Sequence, residues 1–403
     1  MAQVLSDVRV LDLTDSIAGP FAGKLFADFG ADVIKVEPPQ GDPARRYGPF
    51  PGDRPHPEAS ALFLHLNRNK RGITLNLAEP AGRELFLQLA KSVDIVLESF
   101  APGQMDAWGI GFEKLRMAKP SIVVGSLTPY GQYGPYATYR ANDICYYAIG
   151  GPMNATGAAD LTPIKKTLNM VEAQAGNTFA SQVMAAFMVG RYQGEGQHVD
   201  VAAVESQLGS VDRRIIFLLT YQFNGETSSR SAGLGVSTLP MGIYPCADGY
   251  VQIMTTPAWA GRMLATLQDE SLNAYFKEHP MAAMDPSTAE VVQEVLYPWL
   301  LSHTKQECFE EADLKNGWPV FPLSTIEDVM NDPHFEARQY FLEIEHPVAG
   351  KLRYPGAPWR MAEGGFEVRR AAPLLGEHNE EIYCEELGLS SEELARLRAL
   401  GIV

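Results

Sequence analysis

The chain has 403 residues, 46% of them hydrophobic and 20% charged, with a formal net charge of −16. That length supports two or three domains and a core that needs no staples. The acidic balance excludes non-specific nucleic-acid binding, though a local cluster of cations could still hold an anionic ligand.

Four scattered cysteines, Cys145, Cys246, Cys308 and Cys384, have no C-x-x-C spacing. They point to reduced thiols rather than to a disulfide framework or a zinc site. The histidines form no close pair of metal-ligand spacing, so no metal is expected. No run approaches the roughly 18 apolar residues of a membrane span, and the acidic start "MAQVLSDVRVLDLTDS" does not read as a signal peptide. A cytoplasmic protein is expected.

In chain order, "VRVLDLTD" reads as a buried strand and "AGPFAGKLFADFG" as a helix stopped at Gly30. "ADVIKVE" follows as a second strand, completing a right-handed βαβ unit. The alternation continues through the strand "GITLNL", the helix "AEPAGRELFLQLAKSV", the strand "DIVLESF", the helix "GFEKLRMAK" and the strand "IVVGSLTPYG". Such alternation predicts an α/β fold, an open parallel sheet with helices on both faces. Ligands of such sheets gather at the carboxyl ends of the strands.

Residues 133–166 are rich in Gly, Pro, Asn and Thr and read as a long connection. A buried helix, "AGNTFASQVMAAFMVGRYQ", comes next, then a short strand and a long helix within "GQHVDVAAVESQLGSVDRRIIFLLTYQF". The polar stretch "NGETSSRSAGLGVST" marks a boundary near residue 225. Beyond it, "IYPCADGYVQIMT" predicts a hairpin around Asp248-Gly249, followed by helices of a smaller α/β domain. From about residue 325 the chain changes again, with a strand-like "HPVAGKLRYPGAPWRM" and a capped final helix, "SSEELARLRALGIV". The expected boundaries therefore give 1–224, 225–325 and 326–403.

No Walker loop, G-x-S-x-G, H-E-x-x-H or strand-following G-x-G-x-x-G occurs. The "GLGVST" loop, with Gly235, follows a polar linker and not a strand, so it reads first as an interdomain loop and only second as a cover for a site. Cations cluster as Arg68, Lys70 and Arg71 in "LNRNKRG" and as Arg45 and Arg46 in "GDPARRYG", with Arg140 in the long connection. If the strand ends are neighbours, these segments could surround a polyphosphate; solvated surface charge is the alternative. Glu172, in "NMVEAQAGNTF", is the acidic residue at the approach to a buried helix. It reads either as a nucleophile or as a carboxylate that stabilises the helix start.

Several segments resemble the family III CoA-transferases, the group of formyl-CoA transferase and carnitine CoA-transferase, with the 2-methylacyl-CoA racemases as a further branch. They are "VLDLTDSIAGPFAGKLFADFGADVIKVEPPQGDPAR", "LNRNKRGITLNL", "DIVLESFAPGQMDAWGIGFEKL", "GEGQHVDVA" and "APLLGEHNEEIYCEELGLSSEELARLRALGIV". They occur in the family's order and spacing and span nearly the whole chain. The resemblance implies a Rossmann-like large domain built from both chain ends, a smaller inserted domain, and two chains interlocked like links. It also implies a coenzyme A thioester as substrate, a small carboxylic acid as acceptor and no permanently bound cofactor. Succinyl-CoA is a common donor in the family.

The resemblance places the family's catalytic aspartate at Glu172. Such an aspartate attacks an acyl-CoA, passing through an anhydride and an enzyme–CoA thioester. The departure leaves three readings: a working glutamate nucleophile, a silent CoA-binding subunit whose paralogous partner holds the aspartate, and a racemase-like isomerase. The last is disfavoured, because in "RANDICYY" Asn142 stands where the racemases have histidine, and Asn has no useful proton affinity. Asp143 remains as a pocket or turn residue, and Tyr146 with its neighbours could line the acyl pocket. Two of the family's frequent cations are absent, with Pro38 and Ala107 in their places, while Arg140 matches the cation of the long connection.

Overall fold

A computed structural model describes residues 3–157, 161–208, 214–227 and 238–403. The chain divides into two compact units, one formed by 1–153, 165–227 and 338–403, the other by 154–164 and 228–337.

The first unit is built on a six-stranded parallel sheet. Its strands are β1 (Arg9–Asp12), β2 (Asp32–Glu37), β3 (Arg71–Thr74), β4 (Ile95–Glu98), β5 (Val123–Thr128) and β6 (His198–Ala202), in the spatial order β3-β2-β1-β4-β5-β6. These strands are short apolar runs because both of their faces are covered. One face packs Val10, Val33, Ile95, Leu97 and Val123 under α1 (Ala18–Asp28), with Phe26, and a long later helix bearing Phe179 and Val183. The other packs Leu11, Ile34, Ile73 and Val96 against Phe86 and Leu89, and against Ile382, Tyr383 and Val403 from the chain's end. The large unit is thus closed by both chain ends.

α1 stops where expected. Gly30 adopts φ 104°, a left-handed conformation that few residues other than glycine accept, and its N–H bonds the Ala27 carbonyl. The helices on the second face include α3 (Pro80–Ala90), α4 (Gln104–Ala107) and α5 (Phe112–Ala118), while α2 (Ala61–Asn67) packs Phe63 and Leu64 in a separate cluster with Ile344 and Tyr354. α2 had no strong sequence signal, being only seven residues long.

The long connection is not structureless, since it contains α6 (Asp143–Ile149). α7 (Met170–Gln193) begins earlier than the apolar pattern suggested, so Glu172 lies in its first turn and not ahead of it. α8 (Ala203–Leu208) and α9 (Arg214–Asn224) follow β6. α7 crosses α1 at Gly176, where an added Cβ would sit 2.3 Å from the Ala18 carbonyl oxygen.

In the second unit, β7 (Met241–Cys246) and β8 (Gly249–Met254) form the hairpin expected at Asp248-Gly249, extended by β9 (Val320–Pro322). Its core gathers Val251, Ile253, Met263, Leu296, Leu300 and the fully buried Trp318. The strand-like C-terminal stretch is an antiparallel hairpin of β10 (Phe341–His346) and β11 (Gly350–Pro355) in the first unit. The final helix, Ser391–Ala399, carries a capping box between Ser390 and Glu393. All four cysteines are free thiols. Among the described residues no helix is long and apolar enough to cross a membrane.

Candidate active site

Parallel strands that share one direction present their carboxyl ends on one edge. β1 connects to β2 on one side and the chain later returns to β4 on the other, so the strand order reverses between β1 and β4. Doubly wound sheets bind ligands in that crevice. Here it holds a cavity of about 230 Å³ lined by Leu13, Thr14 and Asp15 after β1, Glu37 and Pro38 at the end of β2, and Phe100 after β4. The Asp15 carboxyl is pushed up by burial, and further by the neighbouring Asp42. α1 starts directly from this loop.

The predicted phosphate cations do not form an open basic surface around it. Lys70, fully buried, donates to Asp12 Oδ2 at 2.8 Å, to the Pro20 carbonyl and to Asn67. Arg68, also fully buried, pairs with both oxygens of Asp28 at 3.2 and 3.0 Å. Arg45 makes a two-pronged pair with Glu37 at 2.7 and 2.8 Å and lies 3.7 Å over the Phe63 ring. Arg71 pairs with Asp32, Glu381 and Glu386, tying β3 to the C-terminal segment. Clustering in sequence thus reflects clustering around internal carboxylates. Each buried cation must be matched, because an unpaired one costs several kcal/mol, on the order of 3–5. Arg46 and Arg140 remain exposed.

Glu172 is half-buried in the first turn of α7. Helix starts leave backbone N–H groups without partners. Asn169, at the cap position, makes no side-chain capping bond. Asp143 does it from α6 instead, with Oδ1 accepting from the N–H of Val171 at 2.8 Å and of Glu172 at 3.1 Å. Its Oδ2 pairs with Lys165 Nζ at 2.6 Å. Burial pushes the Glu172 carboxyl up to about 7, the Asp143 charge adds to the rise, and Lys165 opposes it. Glu172 in turn acts with burial to raise the phenol of Tyr146.

Helical spacing puts Glu172 and Gly176 on one face, so the carboxylate lies one turn before the α1 crossing. Met170, Val171, Gln174, Asn177 and Thr178 lie on the opposite side of the helix. They line a larger cavity of about 650 Å³ with Ala202, Glu205 and Ser206 opposite.

Of the other expected pocket residues, Asn142, Asp143 and Tyr146 sit together at the start of α6. Asn142 is exposed, and its carbonyl accepts from the N–H groups of Cys145 and Tyr146. Asp143 is only 5% exposed and faces the start of α7, which removes it from an open pocket. Tyr146 is buried with its hydroxyl on the Ala141 carbonyl. Gly235 and the glycine-containing loop lie outside the described residues.

Two groups had escaped sequence reasoning. Lys165 sits seven residues before Glu172, with no motif to mark it. Glu98 ends β4 with its Oε2 accepting from the Phe100 N–H at 2.7 Å. Burial pushes its carboxyl up to about 7, against the opposing hydrogen bond from Ser126.

A sheet with a ligand crevice at its strand reversal and a buried carboxylate at a helix start fits the resemblance seen in the sequence, and the comparisons with known proteins agree. The profile of CoA-transferase family III matches residues 5–379, and the chain belongs to that family.

Succinyl-CoA--D-citramalate CoA-transferase of Chloroflexus aurantiacus is 32% identical, covering 99% of this chain and 98% of its own. The BbsE subunit of succinyl-CoA:(R)-benzylsuccinate CoA-transferase of Thauera aromatica is 31% identical, covering 100% of this chain and 99% of its own. Among solved structures, a CaiB/BaiF family protein from Brucella suis superposes with a TM-score of 0.83 at 27% identity, covering 96% of this chain and 100% of that one.

Proposed function

We propose that the chain moves CoA from succinyl-CoA to a small dicarboxylic acid, with Glu172 as the covalent carrier. The observation that carries this reading is the half-buried carboxylate at the start of α7, raised to about 7 and set one turn before the α7–α1 crossing at Gly176. The donor and the acceptor class follow relatives that are named for succinyl-CoA with D-citramalate or mesaconate, and for succinate with glutarate.

The Glu172 carboxylate attacks the thioester carbonyl, forming a mixed anhydride and releasing CoA thiolate. The thiolate attacks the glutamyl carbonyl, releasing succinate and leaving a glutamyl–CoA thioester. The acceptor carboxylate displaces the thiolate to give a second anhydride. The thiolate then takes the acceptor's acyl group and regenerates Glu172. No net proton moves, and each intermediate is reactive in both directions, which suits a reversible exchange.

Glutamate is longer than aspartate by one carbon–carbon bond, about 1.5 Å. The acyl group must therefore lie correspondingly further from the α7 backbone. The CoA nucleotide belongs in the crevice at the ends of β1, β2 and β4. Arg140 and Arg46 are the exposed cations offered to its phosphates, since Arg45, Arg68, Lys70 and Arg71 are engaged internally.

The assembly we place around this site is an interlocked pair of chains in the cytoplasm. Exposed Tyr133, Tyr136, Tyr139, Ile149, Met188, Tyr192, Tyr221 and Phe223 supply apolar surface for it. A second reading is a heteromer in which this chain binds CoA and a paralogue supplies the nucleophile. Two full-length relatives favour it by name, BbsE and the alpha subunit of succinyl-CoA--L-malate CoA-transferase.

Peptide mass spectrometry after incubation with succinyl-CoA and trapping by hydroxylamine or borohydride separates the two. A modified Glu172 peptide, lost in Glu172→Gln, is the expected result. An unmodified peptide from a chain that still binds CoA by calorimetry refutes the nucleophile and favours the heteromer.

A further inference from the structure

Asp143 does three things with one carboxylate. It accepts from the backbone N–H of Val171, it accepts from the backbone N–H of Glu172 itself, and it pairs with Lys165. A partner 29 residues away in sequence therefore fixes the nitrogen of the residue whose side chain is the proposed nucleophile.

An asparagine could make the same capping bonds without placing a negative charge beside another carboxylate. The charge has a chemical consequence. Glu172 is anionic before reaction and neutral once acylated. Repulsion from Asp143 is present in the first state and absent in the second, so it favours formation of the acyl-enzyme. Lys165 counters the charge of Asp143 enough for the two carboxylates to coexist in a half-buried place. The charged groups acting on Glu172 are Asp143 from α6 and Lys165 from the segment before α7, and Glu172 acts on the buried Tyr146 of α6.

We infer that Asp143 is a positioning residue for Glu172, locking the first turn of α7 while its charge biases Glu172 toward the acylated state, with Lys165 as its counterion. This rests on the reading of Glu172 as nucleophile, but the capping geometry can be tested without it.

The experiment compares the full-length wild type with Asp143→Asn, Asp143→Ala and Lys165→Met. Carboxylate infrared titration, with Glu172→Gln as the reference for assignment, reads the Glu172 midpoint. Amide hydrogen exchange reads the 169–176 peptide, and quenched-flow mass spectrometry with succinyl-CoA reads acyl-enzyme formation.

Asp143→Asn is expected to keep wild-type exchange, to lower the Glu172 midpoint by about one pH unit or more, and to slow acylation of the ionised form about tenfold. Asp143→Ala is expected to speed exchange of that peptide and to slow acylation about a hundredfold. Lys165→Met is expected to raise the Glu172 midpoint.

An unchanged midpoint in Asp143→Asn overturns the electrostatic half. Wild-type exchange in Asp143→Ala overturns the positioning half. If Asp143→Ala does not fold, Asp143→Asn and Lys165→Met still decide the charge. Should midpoint and exchange respond while the wild type forms no acyl-enzyme, the nucleophile reading fails and the structural role of Asp143 stands.

Discussion

On the β3–β2–β1 side of the sheet, Asp12, Asp28 and Glu37 are each held against a buried cation: Lys70, Arg68 and Arg45. On the β4–β5–β6 side, Glu98 is satisfied by the Phe100 N–H and Ser126, and Glu172 lies beside a lysine engaged by Asp143. Both sides bury carboxylates, with opposite results. Burial would raise Asp12 and Asp28, but Lys70 and Lys24 with Arg68 outweigh it and both end below the usual range. Burial dominates at Glu98 and Glu172, and both are pushed up to about 7. Matched charges hold segments together. A carboxylate without a full cation partner keeps a proton affinity that chemistry can use.

The largest expected break of this comparison is at Glu172. Its loss as Gln is expected to lower turnover by at least about a thousandfold, and Glu172→Asp by about a hundredfold, if the acyl group is positioned for the longer side chain. The nucleophile must be ionised, so single-turnover acylation is expected to fall about tenfold per pH unit below pH 7 and to level off above it.

On the matched side, Lys70→Met leaves the buried Asp12 with only the Lys35 charge and its Thr14 hydrogen bonds to oppose burial, and chemical denaturation should show a loss of about 3 kcal/mol. Restoring neutrality with Asp12→Asn in the same chain should recover part of it. Arg71→Met, whose partners Glu381 and Glu386 are partly exposed, is expected to cost less, about 1–2 kcal/mol.

Glu98→Gln reverses the sign. The folded carboxyl titrates above its ordinary 4.5, so its contribution to stability is full below about pH 4.5 and is lost as pH rises through about 7. At pH 8 the Gln variant should therefore be more stable than wild type by about 2–3 kcal/mol, and the difference should vanish below pH 4.5 in denaturation series. Glu172→Gln should behave alike but with about 1–2 kcal/mol, because its half-buried site is screened by solvent. The smallest effect belongs to Arg116→Ala. Its pair with Glu113 is solvent-exposed, and a stability change within about 0.5 kcal/mol is expected.

The strand–helix alternation, the stop at Gly30, the hairpin at Asp248-Gly249 and the final capped helix were legible because each depends on residues within a few positions of one another. Glu172 was legible as a carboxylate near a helix start for the same reason. The short α2 and α6 were not, because helices of seven residues are set by packing more than by propensity.

Nor could the sequence tell a cation facing solvent from one facing a carboxylate. Arg68 meets Asp28 across 40 positions, Lys70 meets Asp12 across 58, and Arg71 meets Glu381 across 310. Asp143 and Lys165 likewise meet only when α6 is laid against the start of α7. The sequence by itself determined the parallel α/β sheet, the family and the position of the acidic residue. Tertiary structure decided which charges are neutralised and which stay poised, because pairing and burial are properties of space, while spacing along the chain constrains only neighbours.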